Sequence, residues 1–310
     1  MTHDRENALT LKTFAPEWLR TYAVVNNRPS EVVSKEMILR VHLIPFFGEQ
    51  PLDEISAKDI EVYKATKLKP TEGKPLKAKT INNHLVVLRR LLATAEEWSL
   101  IDRTPSVRRL RPAAPSFDWL NARESRRFLR VIDTDYPQWS ALFWMALRTG
   151  LRRGELFALR WNDIDFSDGS VRVVRSVYRG RLGPTKNGKE RTVPMTSTLA
   201  KRLKIHRVGR GAPRANENGV VFPAANGKMA LHQDQVAKPL GGALRKAGLR
   251  RMTFHALRHS FASQLVSAGR SIQEVQELLG HSSIQTTMRY AHLAPERMRE
   301  AIATLEASSH

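Results

Sequence analysis

The chain has 310 residues with 51 Lys+Arg against 30 Asp+Glu, a net charge of +21, and no cysteine. The missing cysteine excludes disulfides, thiolate metal sites and cysteine nucleophiles. The charge points to a polyanionic partner, nucleic acid foremost, with a solvated basic surface or ribosome association as the plain alternatives.

A hydrophobic fraction of 41% over this length allows two domains with real cores. The stretch Met1 to Asn7 is polar and lacks the apolar centre of a signal peptide. The longest apolar run, Ala141 to Leu147, is far too short to span a bilayer. A cytoplasmic protein with no membrane partner is the expectation.

The first third reads as helical. Leu39, Leu43 and Phe46 mark one helix, which Pro45 and Gly48 should close. Ile81, Leu85, Leu88, Leu92, Ala95 and Trp98 recur at three- and four-residue steps after Thr80, a candidate N-cap. Arg89 and Arg90 lie beside that stripe and suit either phosphate or solvent. The segment Thr104 to Pro115 then carries three prolines and three arginines. It predicts an extended, semi-rigid linker fit to lie along a nucleic-acid backbone.

Beyond it, Asn121 and Glu124 form a capping pair for a helix through Arg130. Gln138 to Arg148 predicts a buried helix ended by Gly150. Val171, Val173 and Val177 predict a strand, and Arg191 to Met195 the strand returning beside it, with Lys186 on the loop between. Ser271 with Glu274 should open a helix that stops at Gly280. Ser282 with Gln285 should open a short one that carries Tyr290, leaving His281 in the joint. Pro295 to Leu305 reads as a last amphipathic helix. The fold class expected is therefore mainly α, with a small antiparallel β-sheet in the second domain.

Two motifs mislead. Gly183 to Lys189 has the G-x-x-x-x-G-K spacing of a phosphate loop, but Glu190 stands where a Mg²⁺-binding hydroxyl belongs and strand residues follow. His255 and His259 have a zinc spacing, but Ala256 replaces the glutamate a metalloprotease needs. No metal and no cofactor is expected.

What remains is a set: Arg152, Lys186, His255, Arg258, His281 and Tyr290, in that order. Two guanidiniums can grip a phosphate and its developing charge, tyrosine can attack, and lysine and histidine can move protons. Such a set suits metal-free cleavage of a phosphodiester by covalent attack. Arg152 follows Gly150 at a helix start, where an anion is favoured. Glu155, one turn on, could hold the Arg152 guanidinium through both prongs. His255 and Arg258, at i and i+3, share a helix face.

From Trp119 to about Leu305 the chain resembles the tyrosine recombinases, or phage integrases. The resemblance lies in Thr149-Gly150-Leu151-Arg152-Arg153-Gly154-Glu155-Leu156, in His255-Ala256-Leu257-Arg258-His259-Ser260-Phe261-Ala262-Ser263, and in Leu278-Leu279-Gly280-His281 through Arg289-Tyr290-Ala291-His292. One departure is Ala256, where the family commonly has Asp. Residues 10–107 resemble the family's helical DNA-binding domain, 108–118 would be the linker, and 119–305 the catalytic domain.

The resemblance implies a two-domain architecture that closes a C-shaped grip on double-stranded DNA. It implies that Tyr290 attacks the scissile phosphate to give a 3′-phosphotyrosyl link, that Arg152 and Arg258 clamp it, and that Lys186 protonates the leaving oxygen. His255 would be proton acceptor or phosphate ligand and His281 a phosphate donor. Recombination would take a homotetramer on two DNA sites, with a possible accessory DNA-bending or directionality protein, on a nucleoid-associated enzyme. The extra N-terminal domain of larger integrases is expected to be missing. A type IB topoisomerase, with the same chemistry on one duplex, and a catalytically silent DNA-binding regulator are the rival readings.

Overall fold

The computed structural model describes residues 8–112, 117–178, 180–185, 188–208, 219–224, 229 and 233–294. The chain divides into two compact units, Met1–Pro115 and Ser116–His310. Both are mainly helical, and the small antiparallel sheets lie in the second, as expected.

The first unit is built from long helical runs around one core. Leu11–Trp18 continues through a π turn, Leu19–Ala23, into Val24–Asn26. Pro29–Ile38 likewise passes through a π turn, Leu39–Leu43, into Ile44–Phe47. Pro45 therefore does not close this helix. It stands in the first turn after the wide π turn, where a missing N–H costs little.

Helices Ala57–Leu68 and Ala78–Glu97 complete the unit. The latter starts ahead of Thr80, with Lys77 at its N-cap. Its stripe Ile81, Leu85, Leu88, Leu92 and Ala95 is buried against Phe14, Trp18, Leu43 and Phe47, while Trp98 is left half outside. Arg90 caps the Tyr22 ring and pairs with Glu97, so its charge is taken up within the unit.

The first part of the proline-arginine segment is docked rather than free. Asn82 donates to the Leu110 carbonyl and accepts from the Leu110 N–H, each at 2.9 Å. Lys64, itself buried, reaches the Arg108 carbonyl at 3.1 Å. Val107 and Leu110 pack on the unit's core.

In the second unit, helix Ala122–Asp135 opens on the predicted Asn121–Glu124 box and runs past Arg130. Helix Ser140–Thr149 is buried almost all round and ends at Gly150 in the left-handed conformation. Strands Ile164–Asp165, Ser170–Val173 and Arg191–Pro194 form one antiparallel sheet, with Val171 opposite Val193. Arg175–Tyr178 pairs instead with Arg181–Pro184 in a separate hairpin. The run Val171, Val173 and Val177 is thus divided between two sheets.

Helices Ser197–Val208, Ala237–Lys246, His255–Ser267 and Ile272–Leu279 follow. Among the described residues no helix is long and apolar enough to cross a membrane. The expected helix from Pro295 to Leu305 lies outside the described residues.

Candidate active site

Four helix ends and one strand meet around a single buried carboxylate. Arg152 is the N-cap of helix Arg153–Ala158. The site can form here because helix and hairpin approach closely. A Cβ on Gly154 would stand 2.3 Å from the Val177 carbonyl oxygen, so only glycine fits.

Glu155, in the first turn of that helix, is 1% exposed and uses both oxygens twice. Oε1 accepts from Arg152 Nη1 at 2.8 Å and Arg191 Nη1 at 3.2 Å. Oε2 accepts from the Arg152 backbone N–H at 2.8 Å and Arg191 Nη2 at 2.7 Å. The two-pronged partner of Glu155 is therefore Arg191, the first residue of its strand. Arg152 contributes one guanidinium nitrogen and its backbone. Burial by itself would push the Glu155 carboxyl up. The Arg191 hydrogen bonds and the charges of Arg191, Arg152 and Arg258 outweigh it and bring the carboxyl down to about 2.

The arginines are aimed by helix C-termini, whose last carbonyls lack partners within the helix. Arg258, 3% exposed in the first turn of His255–Ser267, donates to the carbonyls of Gly150 and Leu279, both at 2.7 Å. Arg191 Nε donates to Leu278 at 3.0 Å and Arg152 Nη2 to Gly280 at 3.3 Å. These carbonyls carry the negative end of the helix dipoles, so the contacts are charge-complementary. Burial lowers the Arg258 pKa to about 9, helped by Arg152 and partly opposed by Glu155. It stays cationic at neutral pH. Three guanidiniums thus share one carboxylate. The surplus positive charge, partly shielded from water, is a place for an anion.

His281 occupies the joint between Gly280 and Ser283, as expected. Its Nδ1 shares a 2.8 Å hydrogen bond with the Thr287 hydroxyl, and Gln276 donates to its carbonyl. Burial, and then the charges of Arg258, Arg152, Arg289 and Arg191, hold its pKa down at about 3. The ring is neutral.

The next helix, Ile284–Thr287, is capped by Ser283 rather than Ser282, because the Ser283 hydroxyl is the one that accepts from Gln285 N. Tyr290 sits past it, on the 3₁₀ turn Met288–Leu293. The tyrosine is 1% exposed and belongs to a small apolar cluster with Ala262, Val266, Val275 and Leu279. Its hydroxyl shares a 2.6 Å hydrogen bond with His259 Nδ1. Burial raises the phenol pKa, partly offset by Arg258 and Arg289. Phe117 covers the pair, with ring centroids 4.8 Å from His259 and 5.1 Å from Tyr290.

His255 opens its helix with an exposed ring, edge-on to His259 at 4.7 Å. Lys186 lies outside the described residues. Among the described residues beside it, Gly188 N donates to the Thr185 carbonyl and Thr185 Oγ1 donates to the Lys189 carbonyl. Lys189 precedes the strand, which begins at Arg191.

The phage integrase family profile matches residues 118–297, and that of its N-terminal SAM-like domain residues 10–67. The chain belongs to the phage integrase family. It is 30% identical over 239 residues to the integrase of Salmonella phage P22, covering 73% of this chain and 57% of that one. A tyrosine recombinase XerC of Xanthomonas axonopodis pv. citri is 35% identical over 225 residues, 70% of this chain and 68% of the relative. A XerC-like tyrosine recombinase of Caldanaerobacter subterraneus subsp. tengcongensis is 34% identical over 53% of this chain. The matched part spans about half the length of the latter (48%) and of the phage P22 protein (57%). In fold, the chain is similar to the Tn1549 transposon integrase in complex with a circular intermediate DNA, at TM-score 0.80 and 22% identity, covering 97% of this chain and all of that one. A lambda integrase dimer bound to a core site gives TM-score 0.70 at 16% identity, over 93% of this chain and 97% of that one.

In this integrase-family chain, Arg152, Arg258, His281 and Glu155 gather at one place, with Tyr290 and His255 joined to them through the helix His255–Ser267. Two neighbours, Arg191 and His259, are given no place in the site by the sequence. Arg191 stands far from Glu155 in sequence, and only the strand pairing brings it in. His259 stands in the sequence as half of a zinc spacing and inside the second family motif, with no role assigned, although its four-residue step from His255 already places both on one helix face. Among the described residues no group of side chains could hold a metal ion. The Gly183–Lys189 motif begins in a strand and leads to another, with no helix N-terminus to hold a phosphate.

Proposed function

We propose that this chain is a site-specific DNA recombinase that cuts and rejoins duplex DNA through a 3′-phosphotyrosyl link to Tyr290. The observation that carries this reading is the surplus of guanidinium charge over Glu155, set beside a tyrosine. Phosphoryl transfer is chiefly positioning and charge stabilisation, and the arginines can do both without a metal.

Arg152 and Arg258 would bind the two non-bridging oxygens of the scissile phosphate, and Arg191 would keep Glu155, and through it Arg152, in place. Tyr290 would attack and free a 5′-hydroxyl, with Lys186 protonating that oxygen. His281, kept neutral, would donate a hydrogen bond to the phosphate from the nitrogen not bound to Thr287. His255 would take a proton or bind phosphate. Residues 10–107 would grip the duplex and residues 119–305 carry the chemistry. The energy of the broken phosphodiester stays in the tyrosyl link, so rejoining needs no nucleotide. Four copies on two sites, with an accessory DNA-bending or directionality protein, would complete the exchange.

The test is a nicked duplex whose cleaved strand loses a short fragment, trapping the covalent adduct in excess EDTA. The expected adduct maps by peptide mass to Tyr290, and Tyr290→Phe binds the duplex without forming it. An adduct on another tyrosine, or one that forms only with added Mg²⁺ or Zn²⁺, would sink the reading. Joined products from two DNA molecules separate recombination from single-duplex relaxation.

A further inference from the structure

The nucleophile rests against a histidine that the reading above leaves idle. We propose that His259, through Nδ1, takes the phenol proton of Tyr290 as its oxygen attacks phosphorus. The inference rests on the recombinase reading and assigns within it a role that the family resemblance offers to His255 as one of two.

Geometry comes first. The 2.6 Å separation is that of a well-formed hydrogen bond, and it involves the reacting oxygen itself. Enclosure comes second. Tyr290 is 1% and His259 9% exposed, with Phe117 lying over both rings, so bulk water has poor access to the phenol. Protonation states come third. Burial keeps Tyr290 protonated beyond the ordinary range of a phenol, so its attack needs an acceptor. Burial, then His255, Arg289 and Arg258, hold His259 at about 4, so it is neutral and has a lone pair to offer at neutral pH.

The groups that set its field are His255 and Arg258 on its own helix, and Arg289 and Tyr290 on the 3₁₀ turn. Three of these are cationic or can become so. A phosphodiester seated between the arginines brings a negative charge to the same field. That charge raises the proton affinity of His259 when it is needed.

The step balances. The Oη–P bond forms and the P–O5′ bond breaks. The phenol proton moves to His259 Nδ1, and O5′ takes its proton from a separate acid, the role given above to Lys186. On rejoining, the O5′–H attacks, its proton returns to that acid, and His259 hands its proton back to Oη.

The experiment measures the rate of adduct formation on the nicked duplex, with the full chain, across pH 6 to 9. His259→Ala should be about 100- to 10,000-fold slower, the usual scale for losing a positioned base. Duplex affinity should stay within about twofold, because the change removes no phosphate contact. His259→Asn, which puts an acceptor near the place of Nδ1 but cannot take a proton, should be as slow. Replacing Tyr290 by 3,5-difluorotyrosine, a stronger acid, should speed His259→Ala far more than the parent. Folding losses cancel there, since both members of the comparison carry the same substitution. The His259→Ala rate should also keep climbing with pH where the parent levels off.

Parental rates in His259→Asn would mean that the hydrogen bond alone suffices and would overturn the proposal. So would the absence of fluorotyrosine rescue in His259→Ala, or its appearance in His255→Ala instead. A parent chain that forms no adduct would remove the recombinase reading itself, whereas an active parent unaffected at His259 removes this assignment alone.

Discussion

Glu155 and Arg191 form a two-pronged ion pair, 2.7 Å and 3.2 Å, across 36 positions of sequence. The pair joins the first turn of helix Arg153–Ala158 to the strand Arg191–Pro194 and thereby fixes where Arg152 can stand.

Because Glu155 is fully buried and saturated, removing it strands Arg191 and leaves Arg152 and Arg258 to repel each other. Glu155→Ala should cost about 3–5 kcal/mol, the scale of a broken buried pair. Arg191→Ala should cost less, since Glu155 keeps Arg152. Urea denaturation of both variants checks the order. Equal or negligible losses would mean that the carboxylate does not organise the site.

Acid should unfold this protein through identifiable groups. Glu155 falls from its ordinary 4.5 to about 2 in the folded chain. Its contribution is present above pH 4.5 and is lost as pH falls towards 2, about 3 kcal/mol in all. His84, His259 and His281 are held at about 4, 4 and 3, against an ordinary 6.5. Below pH 6.5 the unfolded chain binds protons that the folded chain refuses, so stability falls further in the same direction. Thermal midpoints should therefore decline already from about pH 6.5. His84→Gln should flatten the first part of that decline, and Glu155→Gln the part below pH 4.5. A midpoint that is constant from pH 7 to 5 would contradict the assignment.

Much of this was legible because the motif residues sit on locally specified elements. The Asn121–Glu124 and Ser271–Glu274 boxes, and Gly150 and Gly280 after their helices, are short-range rules, and they hold. Two features could not be read locally. Val173 and Val177 follow one alternation, yet they pair with different strands, because partner choice is a tertiary matter. Arg191 and His259 gain their meaning only from what stands opposite them, Glu155 and Tyr290. Pro45 was misleading for another reason: a π turn shifts the register of the helix so that proline falls at a tolerant position.

Gly280 is required twice over. Its φ is +63°, and a Cβ there would stand 2.8 Å from Arg191 Cδ. Gly280→Ala should cost about 1–3 kcal/mol, part from the left-handed backbone and part from pushing Arg191 off Glu155. The two parts separate in a double-mutant cycle: with Arg191→Ala already present, only the backbone part should remain. Full additivity would mean that the two residues do not touch in solution.

Lys186 is the proposed general acid, and Lys189 is its competitor only three positions along. Thr185 is buried, and its hydroxyl donates to the Lys189 carbonyl. The Lys189 side chain is exposed just before the strand. A general acid matters only while the leaving oxygen needs a proton. A substrate with sulfur at the 5′-bridging position departs without one. Lys186→Ala should cleave that substrate nearly as fast as the parent, while losing about 100-fold or more on ordinary DNA. Lys189→Ala should be only mildly impaired on both. The reverse pattern would transfer the role to Lys189. Failure of sulfur to rescue either variant would leave the proton to some other donor, and Lys186 would then be a phosphate contact at most.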